Sequence, residues 1–358
     1  MSQTDAVDTG RVEEFGERML GAINDAALVV MTSVGHRVGL FDTMAGLEPS
    51  TSDGIATAAG LEERYVREWL GTMVTAGVVD YDPDSRTYAL PPEHAAALTR
   101  AAGADNVAAF AAYVPLFAGV EDEVVRSFRE GGGVPYSSYP RLQEVLGEDS
   151  AAVIDATLLE ATLPLVPGLV DRLRDGIDVA DFGCGAGHAI NVMAEAFPAS
   201  RFVGYDISEH GLEMGRREAE AMGLENARFE IQDLATLPER DAFDFVTAFD
   251  VIHDQAKPAD VLDAIAASLR PGGTFLMVDI DASSKLEENV DHPIAPTLYM
   301  ISTMHCMPVS LADGGAGLGT VWGRQKALEM LAAAGFDQVD VKNVEGDVVD
   351  AYYVARRG

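Results

Sequence analysis

The stretch Asp181-Phe182-Gly183-Cys184-Gly185-Ala186-Gly187 decides the fold. It follows an apolar run over 177–182 that reads as a strand, and it opens a helically periodic segment over 187–197. Its alternate glycines let the backbone turn sharply and come close to a ligand. A second acid, Asp206, closes the next strand, 23 residues past the first glycine. That spacing suits a carboxylate gripping ribose hydroxyls. A dinucleotide site needs G-x-G-x-x-G, so that helix N–H groups face a pyrophosphate. Counted from Gly183, the third glycine falls on His188; counted from Gly185, it falls on Ile190. Both registers fail.

Strand and helix patterns alternate outward from this point. Strands are expected at 201–206, 227–231, 243–249 and 273–280, with late strands near 338–343 and 350–356. Helices are expected at 187–197, 209–222, 258–269 and 324–334. Such alternation predicts an α/β fold, a largely parallel sheet covered on both faces. The stretch 281–322 interrupts it and is too long for an ordinary connection, which marks a lid or a substrate wall.

The N-terminal part has a different grammar. Apolar residues Val12, Phe15, Met19, Ile23, Ala27 and Val30 fall at helical spacing over 11–32. A short helix over 52–59 and a second over 62–76 follow, with Tyr65, Trp69, Leu70 and Met73 expected on one side. Strands at 78–81 and 86–90 flank a turn at 82–85. Helix, turn, helix and hairpin make a winged-helix arrangement. Its second helix sets Arg64 and Arg67 against Glu62, Glu63 and Glu68, a poor match to phosphate. Residues 93–175 read as mostly helical, broken at 131–136.

The glycine segment resembles motif I of the class I S-adenosylmethionine-dependent methyltransferases. The likeness runs over roughly 176–356 and includes Gly204-Tyr205-Asp206-Ile207-Ser208, Gln232-Asp233-Leu234 and Leu269-Arg270-Pro271-Gly272-Gly273. It implies a Rossmann-like sheet of seven strands, the last antiparallel, behind a mainly α winged-helix domain. It also implies S-adenosylmethionine as cofactor and S-adenosylhomocysteine as product. By this resemblance Gly183, Cys184, Gly185 and Gly187 border the methionine moiety, and Asp181 orients its amino group. Asp206 binds ribose, and Asp233 meets the adenine amino group. Ile207 and Leu234 lie against the ring, and Phe249 completes the cofactor set. Cys184 reads as a small packing residue, because nothing nearby suggests a lowered thiol pKa.

After the fourth strand of that unit stands Val251-Ile252-His253-Asp254-Gln255. Open α/β sheets bind ligands beyond the carboxyl ends of their strands. The stretch resembles the His-Asp-Trp of winged-helix small-molecule O-methyltransferases, with Gln255 in the tryptophan position. Two readings of His253 stand. It is a general base for a phenol or alcohol, with Asp254 orienting the imidazole, or it shapes the strand end. The acceptor pocket is assigned to Tyr136, Met304, His305 and Trp322. His305 and Cys306 are adjacent and lack a partner pair at zinc-site separation, so no metal is assigned.

The whole chain is similar to a bacterial and archaeal group of winged-helix class I methyltransferases. That likeness implies a homodimer formed through the N-terminal region, with 11–32 contributing. The expected division is 1–100 (helical and winged-helix), 101–175 (helical linker or lid) and 176–358 (methyltransferase). The function expected is methyl transfer to a small molecule, favouring oxygen. The alternatives are a transcription regulator with S-adenosylmethionine or a metabolite as effector, and a protein methyltransferase.

Composition bounds these readings. The chain has 358 residues and a net charge of −33, from 58 acids against 25 Lys and Arg. That charge repels nucleic acid and anionic lipid, and either a high-salt habitat or an Arg-biased acidic proteome accounts for it. Two cysteines exclude a disulfide scaffold. No apolar run reaches membrane-spanning length, and no basic, apolar leader is visible. A cytoplasmic location is expected.

Overall fold

The computed structural model describes residues 7–345 and 347–357. The chain divides into two compact units, 1–115 and 116–358. No single helix among the described residues is long and apolar enough to cross a membrane.

In the first unit a helix spans Thr9–Arg37, capped by the Asp8 carboxylate, which accepts from the N–H groups of Gly10 and Arg11. It buries only Thr32, Ser33, Gly35 and His36. Gly35 is required there, because a Cβ would lie 2.5 Å from the Trp69 ring. The indole N–H of Trp69 donates to the Met31 carbonyl at 2.8 Å. Helices Ser52–Ala59 and Glu63–Thr75 follow, and the second buries Val66, Trp69, Leu70 and Met73. Tyr65, expected on that side, is exposed, and Val66 fills the apolar phase. Strands β1 (Asp80–Asp82) and β2 (Thr87–Ala89) pair antiparallel as the wing. The first strand starts later than the apolar pattern suggests. The Val78 and Val79 N–H groups both bond the Met73 carbonyl and still close the helix.

The second unit is built on seven strands: β3 (Asp178–Phe182), β4 (Arg201–Asp206), β5 (Ala227–Ile231), β6 (Phe243–Phe249), β7 (Leu269–Ile280), β8 (Gln338–Lys342) and β9 (Asp350–Arg356). Their order is β5-β4-β3-β6-β7-β9-β8. Only β9 makes antiparallel pairs, with β7 and β8, as expected for the last strand. Side chains alternate between two cores. Phe275, Met277, Tyr353 and Ala355 join one, while Leu276, Val278, Tyr352 and Val354 join the other. Each Val, Leu, Phe or Met among them is worth about 1.5–3 kcal/mol when fully buried. β7 begins earlier than expected: Leu269 pairs with Phe243, and pairing resumes with Thr274 opposite Phe245. The intervening residues bulge out, with Gly272 at φ 78°.

Within 281–322 the chain is helical over Ala295–Ile301, Ser302–Cys306 and Met307–Ala312, the middle segment being a π-helical turn. Such widened turns often occur at functional sites. Here the turn carries His305 and Cys306.

Candidate active site

The carboxyl ends of β3, β4, β6 and β7 lie side by side, because these strands are parallel neighbours. At the end of β3, Asp181 is buried and accepts from the Thr247 hydroxyl at 2.7 Å. Burial pushes its carboxyl up to about 7 despite that bond. The loop that follows is held on β4: the N–H groups of Gly183 and Cys184 donate to the Tyr205 carbonyl. Gly187 has φ 75°, and a Cβ there would meet the Phe229 ring at 2.3 Å. At Gly185 the space is open, with Gln143 Oε1 nearest at 3.7 Å from a built Cβ. The loop is therefore packed on its strand side and open at its middle glycine.

Asp206 ends β4. Its two oxygens accept from Gly185 N–H at 2.9 Å and Ser208 N–H at 2.7 Å. Burial raises this carboxyl, against the pull of those bonds. The carboxylate is fixed and adjoins the open glycine, which suits a nucleoside with hydroxyl donors. The Cys184 sulfur instead packs on the strands, 2.6 Å from a Cβ built at Gly204. Burial pushes its thiol well above the ordinary range. Of the residues expected against adenine, Ile207 is exposed and available to a ring. Leu234 is not: it is buried in the core with Tyr205 and Phe243. Asp233 is exposed and caps a short turn through Ala235 N–H. Phe249 packs partly against the second core.

His253 lies on a short helical turn, Ile252–Asp254, after β6. Its partner corrects the expectation. Asp254 does not orient the ring; Asp279, near the end of β7, does, with 2.8 Å between Nδ1 and Oδ1. The same oxygen accepts from the Trp322 indole N–H and the Ile280 N–H, both at 2.9 Å. Trp322, expected in the acceptor wall, is buried in the sheet core and serves to hold Asp279. Burial pulls the His253 pKa down. The Asp279 charge and bonds to Asp279 and Cys306 outweigh it, so the imidazole stands well above its ordinary value. Among the described residues, Asp250, His253 and Asp279 bring ligand-type atoms within 4.8 Å and could hold a cation. A cation on Nδ1 would displace the proton shared with Asp279.

Asp254 accepts instead from the Tyr136 hydroxyl, at 2.5 Å. Tyr136 and His305 also meet, ring edge to face, with centroids 5.7 Å apart. Met304 contributes its carbonyl, which accepts from the Tyr139 hydroxyl at 2.5 Å. Asp279, Tyr139, Phe117 and Gln143 were not singled out by the sequence. Asp279 had a usable signal, being the lone acid in the apolar run Phe275-Leu276-Met277-Val278-Asp279-Ile280. An acid buried in a strand needs a partner.

A family model described as a methyltransferase domain matches residues 173–335, and one described as an Rv2258c-like winged HTH domain matches 26–100. The chain carries a class I methyltransferase domain behind a winged-helix domain. The methyltransferase domain has curated relatives at modest identity. A trans-aconitate 2-methyltransferase of Variovorax paradoxus is 33% identical over 104 residues, 29% of this chain and 38% of that protein. A fatty-acid O-methyltransferase of Mycolicibacterium smegmatis is 32% identical over 105 residues, again 29% and 38%. The matched segment thus spans about two fifths of either relative's length. Solved structures align over nearly the whole chain. A putative O-methyltransferase of Nostoc punctiforme has TM-score 0.71 and 16% identity, covering 95% of this chain and 98% of that one. Human N-acetylserotonin methyltransferase, in complex with SAM, has TM-score 0.69 and 17% identity, with full coverage of both chains. At that identity the likeness concerns the fold.

Proposed function

We propose that the protein moves a methyl group from S-adenosylmethionine to an oxygen of a small acceptor, with His253 taking the acceptor's proton. The observation that carries this reading is the His253–Asp279 pair at the strand ends beside the glycine loop. Asp279 fixes the ring through Nδ1, and Cys306 bonds the ring as well, so the acceptor hydroxyl takes the place of the Cys306 thiol at the second nitrogen. When bound, the donor supplies an electrophilic methyl on a positively charged sulfur. The protein's own residues then hold and align. Asp206 takes the ribose hydroxyls, Asp181 the amino group, and open Gly185 admits the methionine moiety, while Ile207 and Asp233 meet the adenine. Alignment and exclusion of water are the main levers left to the protein in such a displacement.

The wing supports an enzyme over a DNA reader. Arg64 pairs with Glu68, and Arg67 with Glu63 at 3.4 Å, so both cations of the second helix are matched on that helix. The long N-terminal helix exposes Val12, Phe15, Met19, Leu20 and Ile23. We assign that face to a second copy of the chain.

The test is calorimetry with S-adenosylmethionine and S-adenosylhomocysteine, followed by transfer of labelled methyl to a panel of phenols, alcohols, acids and amines. Uptake of both nucleosides and transfer to an oxygen that depends on His253 is the expected result. Absence of nucleoside uptake by folded protein rejects the proposal.

A further inference from the structure

The turn that carries His253, Ile252–Asp254, is short and holds itself weakly. The Gln255 N–H reaches the Ile252 carbonyl at only 3.4 Å, and the Gln255 amide reaches the Val251 carbonyl at 3.2 Å. The carbonyls of the turn and its flank go to a distant part of the chain. That of His253 accepts from Gly319 N–H, and that of Ala256 from Ala316 N–H, both at 3.0 Å. That of Gln255 accepts from the Ser310 hydroxyl at 2.8 Å. All three donors belong to one stretch, 310–319, inside the long insertion after β7.

The glycines of Gly314-Gly315-Ala316-Gly317-Leu318-Gly319 serve that contact. A Cβ at Gly315 would lie 2.4 Å from the Ala256 Cα. One at Gly319, where φ is 74°, would lie 2.3 Å from Ser302 Oγ. These positions are packed against their neighbours, which a hinge would not be. Ser310, 1% exposed, ties the near end. Besides donating to Gln255, its hydroxyl accepts from Gly317 N–H at 3.0 Å, and its carbonyl accepts from Gly315 N–H at 2.8 Å. The stretch then continues onto both partners of the His253 ring. The Gly319 carbonyl accepts from Trp322 N–H, and the Trp322 indole holds Asp279. Between these two, the Thr320 hydroxyl donates to Cys306 Sγ at 3.0 Å, and Cys306 bonds the imidazole. Thr320, Trp322 and Cys306 are all buried. One segment thus fixes the backbone that carries the imidazole and the groups that bond its ring.

We infer that the segment 310–322 is a strap that positions His253 for proton transfer, with Ser310 as the positioning residue that anchors it to the His253 turn. This rests on the reading of His253 as the base and names what holds that base in place. Ser310 touches no reacting atom; it acts through the Gln255 carbonyl and the Gly317 N–H. Without its hydroxyl both groups lose a partner, and a displaced base is slow: a misplacement of about 1 Å can cost about 10²-fold in rate.

The experiment compares Ser310→Ala with Ser268→Ala in the full chain. Ser268 is equally buried and donates to the Ile265 carbonyl at 2.8 Å, but it precedes β7 and so lies at the other end of that strand from Asp279. The first readout needs no activity. It is the proton resonance of the Nδ1–H shared by His253 and Asp279, identified by its loss in His253→Gln. Ser310→Ala should lose this resonance to exchange with water, and Ser268→Ala should keep it. The second readout is methyl transfer to an acceptor from the panel above. Ser310→Ala should lower kcat by about ten- to a hundredfold, with KM and S-adenosylhomocysteine affinity held within a few-fold, while Ser268→Ala keeps kcat. Ser310→Cys fills the same space with a weak donor; it should show the same losses to a smaller degree, and it carries the test if the alanine variant does not fold. A resonance that survives in the Ser310 variants, one that is absent from the wild-type chain, or equal effects of the Ser310 and Ser268 changes overturn the inference. Failure of nucleoside uptake or of all methyl transfer counts against the methyltransferase reading instead, and the resonance then decides the inference alone.

Discussion

Asp279 and His253 stand at the ends of neighbouring parallel strands, and 2.8 Å separates their bonded atoms. The contact depends on the sheet, because the residues lie 26 apart in the chain. Trp322 and Ile280 N–H fix the same carboxylate oxygen, so the acid is positioned before any ligand arrives.

This pair sets the pH behaviour of the proposed reaction. The base is the neutral imidazole, and its pKa is raised in the folded protein. Turnover should therefore climb with pH and level off only once His253 has lost its proton. His253→Gln should lower kcat/KM by about 10²–10⁴-fold, the usual share of a general base, and leave donor affinity within a few-fold. Asp279→Asn removes the charge that raises the pKa, so the rising limb should move to lower pH. A limb that stays in place in Asp279→Asn assigns the histidine a packing role.

The glycine loop should tolerate side chains unevenly. At Gly187 a Cβ meets a left-handed backbone and the Phe229 ring at 2.3 Å. Gly187→Ala should cost about 2–4 kcal/mol, from overpacking and strain together. At Gly185 the space is open but φ is 53°. Gly185→Ala should lose less stability and more nucleoside affinity. Urea melts and calorimetry on the two variants read both quantities.

The exposed apolar face of helix Thr9–Arg37 should decide the oligomeric state. Phe15→Glu with Ile23→Glu places two charges where the assigned partner would lie. Light scattering should move from dimer to monomer, with the melting temperature falling as subunit concentration becomes irrelevant. A wild-type monomer at micromolar concentration would remove the assignment.

His188 ties three helices of the second unit. Its ring bonds Glu218 at 2.7 Å and Asp155 at 2.9 Å. The Glu218 bond, against burial, and then the Asp155 bond raise its pKa to about 9. A folded pKa above the unfolded value gives stability that is full below about pH 6.5 and fades as pH rises through about 9. Thermal melts at pH 6 and pH 9.5 should show this loss in the native chain, and His188→Gln should flatten it. Asp155 is largely exposed, so solvent screens part of the effect.

The sheet was legible because burial on both faces writes itself as short apolar runs bounded by turn residues. β4, β5 and β6 begin and end where the pattern says. The glycine loop was legible because its spacing is local. His253 was visible as a residue, but its partner was not: adjacency in sequence favoured Asp254, whose side chain diverges to Tyr136. The tertiary contact with Asp279 has no spacing to read. Trp322 failed for a similar reason, since its indole serves the core and the Asp279 carboxylate at once. In the wing, one residue of helical phase separates exposed Tyr65 from buried Val66, a difference that periodicity over a single short helix does not resolve.

The widened turn over Ser302–Cys306 makes the packing around His253 adjustable in sequence. A π turn takes up one extra residue within a single turn, so deleting one residue there would restore a regular turn and move only the side chains of that turn, leaving the helix beyond it in place. His305 and Cys306 would then face elsewhere, while the nucleoside loop on β3 stayed as it is. A single codon gained or lost in this segment would thus reset the side chains beside His253 without disturbing the sheet.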